Sequence, residues 1–235
     1  MPLDNTRYDY SAITQRPPFR WPNGERLAVW VCYNVEHFKI DVPATSQTEG
    51  LAHLKPDVIN YAWRDYGLRV GMWRLFEMME RLGIKGSSTL NGEVCIHEKP
   101  VVDEMARLGW PILGHGMTNS QNLTNLPEDE GRKVIGDTLD IIERTTGKRP
   151  IGWLGPALAE SFVTPELLVE AGVKYVCDWV CDDQPFQIKV KTGKLASIPY
   201  TQHINDIGMI LSSKRSDQEF YQEICDQFDV LYREG

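Results

Sequence analysis

The sequence predicts an α/β fold of the (β/α) barrel type, because polar clusters follow short apolar segments that are typical of β-strands. The segment RLAVWVCY leads into Asn34-Val35-Glu36-His37, and KGSSTL leads into Asn91-Gly92-Glu93. Three further segments, WPIL, KYVC and LASIPY, lead into Gly114-His115-Gly116, into Asp178-Trp179 and into residues 202–206. Barrels of this type assemble their active sites from the carboxyl ends of several strands. An enzyme is therefore the leading interpretation.

The first elements are predicted from the order of apolar and polar residues. An irregular N-terminal arm, residues 1–25, precedes a single barrel domain expected at residues 26–235. The first strand is predicted at residues 26–33, and a long loop over residues 34–55 follows, which contains Pro43 and Gly50. A loop of this length in a compact domain is usually functional or mobile. A helix over residues 57–82 comes next, because its apolar residues recur at helical spacing at Val70, Trp73, Phe76 and Met79.

Strands and helices alternate from residue 84 onward, which favours parallel βα units. The predicted strands lie at residues 84–90, 111–113, 150–153, 174–177, 195–200 and 208–211. The predicted helices lie at residues 99–108, 127–146, 165–171 and 216–233. The helix at residue 127 begins with proline followed by three acidic residues, a combination that suits the positive end of a helix dipole.

The composition indicates a globular protein with a sizeable core. The chain has 235 residues, of which 42% are hydrophobic and 25% are charged, and these values fit one large barrel or two small domains. The net charge of −8 and the isoelectric point near 5.2 argue against nucleic acid as a partner, which would require a basic surface.

The location of the protein is predicted from what its segments lack. No apolar segment is long enough to cross a membrane, and the N-terminal segment has neither the basic start nor the apolar core of a secretory signal. We therefore expect a cytoplasmic protein without a membrane partner, in which the five cysteines are reduced. Cys177 and Cys181 have no second cysteine pair beside them, so zinc is not expected there.

Glu36 and His115 are the leading catalytic candidates. Glu36 follows the first predicted strand, and His115 lies between two glycines that allow a sharp turn. Amide hydrolysis requires an activated water and a proton donor for the leaving nitrogen, and a carboxylate with an imidazole can supply both. The same two groups can instead hold a metal ion. The alternative interpretation is a loop carboxylate and a structural histidine bonded to backbone.

A second polar cluster consists of Asp178 and the pair Asp182-Asp183. Adjacent carboxylates repel each other, so we expect one of them to have a raised pKa or a cationic partner. A turn is the alternative interpretation, and it is favoured for Asp182 because Asp-Asp-Gln-Pro is typical of loops.

The remaining candidates are polar or aromatic residues at strand ends. His203, Asn205 and Asp206 form a third cluster, with the same alternatives. Trp153 and Trp179 are placed to wall a pocket for a flat substrate. His53 and His97 are interpreted as solvated loop or helix-start residues.

Several motifs together resemble the polysaccharide deacetylase superfamily, and within it the metal-independent allantoinase-like branch. The matching segments occur in family order between about residues 20 and 215: WRDYGLRVGMWR at 63–74, GHGMTN at 114–119, RPIGWLGP at 149–156, Asp178-Trp179 with DDQP at 182–185, and Pro199-Tyr200 with Asn205-Asp206. The resemblance implies an incomplete or distorted (β/α) barrel that hydrolyses carbon–nitrogen bonds other than peptide bonds.

The sequence departs from the family pattern at the metal site. Typical members use an aspartate base and a metal held by an aspartate and two histidines. Here Asn34 stands at the position of the base, Glu36 at that of the metal carboxylate and His115 at that of the first histidine, whereas Asn119 replaces the second histidine and Leu154 replaces an arginine. One carboxylate, one imidazole and one amide make a poor zinc site. No cofactor is therefore expected, although weak binding of a divalent ion such as zinc stays open.

The resemblance also implies a difference at the carboxyl end. Relatives continue into another strand with a Leu-His-Pro type motif, whereas this chain ends at Gly235. We therefore expect the last strand–helix unit to be missing and the barrel to be open on one side. An open barrel exposes strand edges and apolar surface that a partner subunit can cover, so a homo-oligomer is expected.

Three functions remain open. The leading hypothesis is metal-independent hydrolysis of a small cyclic amide, imide or ureide. The others are a metal-dependent deacetylase of N-acetyl sugars with a degenerate metal site, and a non-catalytic or truncated relative that binds a small ligand. In the leading hypothesis the catalytic residues are Glu36, His115 and Asp178. The substrate-binding residues are Asn34, His37, Asn119, Trp153, Trp179, His203 and Asn205.

Overall fold

Seven short strands form one sheet in the computed structural model, which describes residues 4–42 and 53–235. In chain order the strands are β1 Cys32–Val35, β2 Ser87–Leu90, β3 Ile112–Gly114, β4 Gly152–Trp153, β5 Tyr175–Val176, β6 Phe186–Ile188 and β7 Leu195–Ser197. Their order in the sheet is β1-β2-β3-β4-β5-β7-β6. Each neighbouring pair is parallel except β6 and β7, which are antiparallel.

Helices connect most of the parallel strands. In chain order they are α1 Val58–Tyr66, α2 Met72–Leu82, α3 Val94–His97, α4 Lys99–Arg107, α5 Glu128–Thr146, α6 Thr164–Glu170 and α7 Asp217–Glu234. A π-helical turn, Gly67–Gly71, joins α1 to α2. None of the helices in the described part of the chain is long and apolar enough to cross a membrane.

The predicted fold class, an incomplete (β/α) barrel, is confirmed. Parallel β1 to β5 follow one another in sequence order, as they do in a barrel. Among the described strands the outer two, β1 and β6, do not pair with each other, so the sheet is not closed. The carboxyl ends of β1 to β5 and β7 therefore lie along one edge, where the polar clusters follow them.

The predicted limits of the first strand were wrong. The strand was expected at residues 26–33, but β1 begins at Cys32 and ends at Val35. Pairing with β2 sets these limits, because Cys32 is aligned with Ser87 and Val35 with Leu90. Asn34 consequently lies inside the strand rather than after it. Of the loop predicted at residues 34–55, residues 43–52, including Pro43 and Gly50, lie outside the described residues.

A second correction concerns residues 208–211, which were predicted as a strand. They belong to a π-helical turn, Ile207–Ser212, which begins where the Asp206 carboxylate accepts a hydrogen bond from the Ile207 N–H. β6 was not predicted; among the described strands it pairs with β7 alone, its neighbour along the chain. The helix predicted at residues 127–146 is confirmed as α5, which ends at Gly147 in the left-handed conformation.

The core has two main clusters, one on each half of the sheet. The first packs α2, α3 and α4 against β1 and β2 around Phe76, Met105 and Trp110. The second packs α5 and α6 against β4 and β5 around Leu139 and Trp153. Burial of these apolar side chains is the main source of stability, at roughly 1.5–3 kcal/mol for each large side chain.

The N-terminal arm is attached to the second half of the sheet by charged contacts. Arg7 forms an ion pair with Glu166 of α6 at 2.6 Å. Arg16 forms one with Asp182, also at 2.6 Å. The Lys189 N–H donates to the Arg7 carbonyl oxygen. The boundary between arm and barrel at residue 25 stays a prediction.

Gly114 allows a close approach that no other residue permits. A Cβ atom at Gly114 would lie 2.7 Å from Trp153 Cε3 and 3.1 Å from Leu139 Cδ2. We expect Gly114→Ala to lower the free energy of unfolding by about 1–3 kcal/mol, because the fully buried Trp153 ring has no room to move. Urea unfolding measures this difference.

Gly136→Ala is the matched control, since Gly136 lies in α5 and a Cβ atom there would meet nothing within 4 Å. It should leave stability unchanged or raise it by up to about 1 kcal/mol. Equal stability of the two variants would contradict the packing argument.

Candidate active site

The candidate site is built on the residues that follow the aligned strand ends. Val35 of β1 is aligned with Leu90 of β2, and Leu90 in turn with Gly114 of β3. The next residues along the chain, Glu36 and His115 among them, therefore lie side by side at this edge. This parallel alignment explains why the polar clusters meet at the carboxyl ends of the strands, as the sequence predicts.

Glu36 and His115 form a carboxylate–imidazole pair. Glu36 Oε1 lies 3.3 Å from His115 Nε2, and the His115 ring is buried. His115 Nδ1 lies 2.5 Å from the Leu154 carbonyl oxygen. A carbonyl oxygen only accepts hydrogen bonds, so Nδ1 carries a proton and Nε2 is the nitrogen that can exchange one with Glu36.

The Asn91 side chain holds the loops that carry this pair. Its Oδ1 accepts a hydrogen bond from the His37 N–H at 2.9 Å. Its Nδ2 donates to the carbonyl oxygen of His115. On the other side, the Thr118 hydroxyl and the Asn119 N–H both donate to the His37 carbonyl oxygen, at 2.8 and 2.9 Å. The backbone beside Glu36 is thus fixed from both sides.

A second group of polar side chains surrounds Tyr200. The Thr89 hydroxyl donates to Asn34 Oδ1 at 2.7 Å, and Asn34 Nδ2 donates to the Tyr200 hydroxyl oxygen at 3.2 Å. Asn205 Nδ2 donates to the same oxygen at 2.9 Å. Burial raises the pKa of Tyr200 to about 12, and the charge of Glu36 acts in the same direction. Tyr200 is therefore a neutral phenol with a proton to donate.

Asp178 lies behind the His115 loop. Its Oδ1 accepts a hydrogen bond from the Gly155 N–H at 2.7 Å, and Gly155 follows Leu154, which holds His115. Burial raises the pKa of Asp178 well above its usual range, and the neighbouring Glu160 carboxyl raises it further. Burial also raises the pKa of Glu160, although the hydrogen bond from Trp179 Nε1 opposes this.

His37 points away from the Glu36–His115 pair. Its Nδ1 lies 3.2 Å from Glu98 Oε1, and its Nε2 lies 3.5 Å from Glu93 Oε2. The hydrogen bond with Glu98 raises the pKa of His37, while burial opposes this shift. The His97 ring stacks on the His37 ring, with centroids 4.7 Å apart.

A narrow cleft leads to Glu36. Its lining is polar on most sides and consists of Glu36, His37, Phe38, Tyr61, Arg64, Asp65, Leu68 and Glu98. The Arg64 guanidinium lies over the Phe38 ring, 4.1 Å from its centroid. The charge of Arg64 also interacts with the Glu36 and Asp57 carboxylates.

The other candidate residues lie in different surroundings. Trp153 is fully buried in the core, and its Nε1 has no hydrogen-bond partner among the described residues. Trp179 is half-buried and packs against Tyr8, so it supports Glu160 rather than lining the cleft. His203 is exposed. Asn119 Oδ1 is buried without a partner in the described part of the chain.

Four residues of this site were not among the sequence candidates. Tyr200 was counted as the end of a strand, and Glu98 and Glu160 had no motif around them. Arg64 lies in the 63–74 segment that carries the family resemblance, but it was not named as a site residue. Only the position of Tyr200 at a strand end was a usable signal; the others reach the site through tertiary contacts.

The residues present do not fit the metal that the family resemblance implies. Asn119 offers an amide where a second imidazole would be required. Across residues 4–42 and 53–235, the only group of three or more His, Cys, Asp or Glu side chains that could share an ion is a different one, His37, Glu93 and His97. Glu36 and His115 thus fall one strong ligand short of a zinc site with three protein ligands.

Comparison of sequences supports the family resemblance. Residues 61–176 match the family described as polysaccharide deacetylase. A peptidoglycan deacetylase from Helicobacter pylori is 24% identical, in an alignment that covers 54% of this chain and 54% of that protein. The match therefore spans about half the length of this curated relative.

Comparison of structures supports the fold. A crystal structure of Puue allantoinase has a TM-score of 0.81 and 24% identity, and the match covers 99% of this chain and 81% of that chain. A probable polysaccharide deacetylase from Pseudomonas aeruginosa PAO1 has a TM-score of 0.79 and 25% identity, with 94% and 78% covered. The resemblance to the polysaccharide deacetylase family, predicted from the sequence, is confirmed.

The raised pKa of Asp178 predicts how stability varies with pH. The native state keeps this proton at pH values where the unfolded chain has released it, so the free energy of unfolding falls as pH rises between the two pKa values. Asp178→Asn keeps an acceptor for Gly155 and removes the titration. As the pH rises from about 5 toward neutral, we expect the wild type to lose stability relative to Asp178→Asn, by at most about 1.4 kcal/mol per pH unit.

Urea unfolding across this pH range measures the difference. Asp182→Asn is the control: burial raises the pKa of Asp182, but its ion pair with Arg16 gives a net lowering, so Asp182 is ionised throughout the range. The difference between wild type and Asp182→Asn should stay constant. A constant difference for Asp178→Asn as well would contradict a protonated Asp178.

Proposed function

We propose that this chain, which carries a polysaccharide deacetylase domain, hydrolyses a carbon–nitrogen bond other than a peptide bond. The observation that carries the proposal is the 3.3 Å contact between Glu36 Oε1 and His115 Nε2 at the carboxyl ends of β1 and β3. The names of its relatives, a peptidoglycan deacetylase and an allantoinase, denote hydrolysis of such bonds.

In the proposed first step, Glu36 accepts a proton from a water molecule in the cleft. The water oxygen forms a bond to the substrate carbonyl carbon, and the carbonyl π electrons move onto its oxygen. Glu36 then passes the proton across the 3.3 Å contact to His115 Nε2. The other imidazole proton stays on Nδ1, which donates it to the Leu154 carbonyl oxygen, so the ring keeps its orientation.

In the second step the tetrahedral intermediate collapses. The carbon–oxygen double bond re-forms, the carbon–nitrogen bond breaks, and His115 Nε2 gives its proton to the leaving nitrogen. Carboxylate and imidazole return to their starting states, so one water molecule is consumed and no other reactant is needed. Proton transfer of this kind typically contributes 10²–10⁴-fold in rate, as an order of magnitude.

Tyr200 and Arg64 are proposed to bind the substrate oxygens. The Tyr200 hydroxyl oxygen accepts from Asn34 and Asn205, which leaves its own proton to donate. Arg64 lines the cleft beside Glu36 and can donate to a carbonyl oxygen. Asn34 and Asn205 thus act through Tyr200, and Asp178 acts as a positioning residue for the Leu154–Gly155 backbone.

A small cyclic amide, imide or ureide is the proposed substrate class. Such a ring presents N–H donors and carbonyl acceptors on one edge, and the cleft supplies carboxylates from Glu36 and Asp65 together with the Arg64 guanidinium. The shortage of metal ligands beside Glu36 favours a reaction without a metal at that pair. Deacetylation of an N-acetyl sugar is the second candidate, favoured by the name of the Helicobacter pylori relative.

The test is hydrolysis of cyclic ureides, cyclic imides and N-acetyl sugars, each with and without a chelator. We expect chelator-resistant turnover of a cyclic substrate. Glu36→Gln and His115→Ala should each lower kcat by about 10²–10⁴-fold, because each removes a proton carrier. Glu223→Gln and His53→Ala, at exposed positions outside the site, are the matched controls and should keep full activity.

Other outcomes separate the alternatives. If the chain deacetylates an N-acetyl sugar and a chelator abolishes this activity, the proposal is contradicted and a metal-dependent deacetylase is favoured. Binding of a cyclic ureide without turnover would indicate a non-catalytic relative. Full activity of Glu36→Gln would exclude Glu36 as the base.

A homo-oligomer and a cytoplasmic location stay predictions. No residue of α7 is buried, and its apolar Ile224, Phe228 and Tyr232 are exposed. We expect light scattering on a sizing column to give a mass of two or more chains, each of 26.9 kDa. A single-chain mass at all concentrations would contradict the oligomer.

A further inference from the structure

We propose that His37, Glu93 and His97 form a binding site for a divalent transition-metal ion, with zinc as the best fit. Each side chain offers one ligand atom, and these atoms lie within 4.8 Å of one another. The cluster lies on the loops that follow β1 and β2, and it shares no ligand with the Glu36–His115 pair. The inference does not depend on the proposed hydrolase activity.

Glu98 orients His37 for metal binding. It lies 3.2 Å from His37 Nδ1, so that nitrogen donates its proton to the Glu98 carboxylate when the ring is neutral. The unprotonated Nε2 then faces Glu93, 3.5 Å away. Metal-binding histidines almost always donate their other ring N–H to a carboxylate or carbonyl in this way. Glu98 thus supplies the outer contact that such a site requires.

The position of His37 is fixed before any ion arrives. Its backbone N–H donates to Asn91 Oδ1, and its carbonyl oxygen accepts from the Thr118 hydroxyl and the Asn119 N–H. A site whose ligands are already held loses less conformational entropy on binding. Because Asn91 precedes Glu93 by two residues, the same contact also holds the second ligand near the first.

Glu93 and His97 are neighbours on one helical turn. Glu93 directly precedes α3 and His97 is its last residue, and this spacing of four places their side chains on the same face. Ligand atoms around a tetrahedral zinc ion lie about 3.3 Å apart, given metal–ligand distances near 2.0–2.1 Å. The contact of His37 Nε2 with Glu93 Oε2, at 3.5 Å, is already close to this length. The exposed His97 ring, which stacks on His37, has room to rotate toward the ion.

The charges around the cluster favour a cation. Glu93 and Glu98 contribute two negative charges, and Lys39 contributes one positive charge, with its Nζ 3.3 Å from Glu93 Oε1. The Lys39 side chain is 47% exposed, so it can turn into solvent when an ion takes its place. Two imidazoles with one carboxylate suit zinc, and they leave a fourth position for water.

The test is binding of zinc chloride alone to the full chain after chelator treatment, measured by equilibrium dialysis and elemental analysis. We expect one zinc per chain. His97→Ala and Glu93→Gln should abolish stoichiometric binding, and Glu98→Gln should weaken it by about 10–100-fold, the usual cost of losing an outer contact. Cobalt in place of zinc should give the intense visible absorption of a tetrahedral ion.

The controls separate this site from other sources of zinc binding. His53→Ala removes an exposed histidine elsewhere, and Glu36→Gln removes the carboxylate of the catalytic pair; both should keep one zinc per chain. Circular dichroism of His97→Ala and Glu93→Gln checks that the fold is intact. The proposal would be overturned if His97→Ala still bound zinc while Glu36→Gln lost it. It would also be overturned if the wild type bound no stoichiometric zinc.

Discussion

The buried amide of Asn91 is the contact on which the candidate site depends. It accepts from the His37 N–H and donates to the His115 carbonyl oxygen, so it joins the ends of β1, β2 and β3. A buried polar group without partners costs about 1–3 kcal/mol, and Asn91 is satisfied only when both loops lie in place. The positions of Glu36 and His115 are therefore set together rather than one by one.

The alternation of side chains beyond β1 gives this loop two different chemical faces. Glu36 turns toward His115, and the next residue, His37, turns toward Glu93 and Glu98. Since both residues share one clamped backbone, the loop can present a proton-transfer pair on one side and a candidate metal site on the other. Neither depends on ligands from the other, so loss of family metal ligands beside Glu36 leaves the second site intact.

The sequence was informative where function follows the strand pattern. The apolar segments located the end of β1 to within two residues and that of β3 to within one, and this was enough to predict that Glu36 and His115 lie at the same edge of the sheet. It was uninformative where a contact joins distant segments: Glu160 meets Asp178 only after the chain has folded, as Glu98 meets His37. The limits of β1 were missed for the same reason, because pairing with β2, and not local propensity, decides where a strand begins.

The placement of Asp178 beside Glu160 lowers the stability of the fold. Two carboxyl groups lie close together with little cationic compensation, and burial raises the pKa of each, so their placement opposes folding at neutral pH. An apolar side chain in place of Asp178 would avoid this cost but would leave the Gly155 N–H without its acceptor. That N–H belongs to the peptide link that follows Leu154, whose carbonyl oxygen fixes the His115 tautomer. The Asp178 carboxyl therefore destabilises the fold but helps to orient the His115 imidazole. The packing around Trp153 and Leu139 must offset the loss of stability.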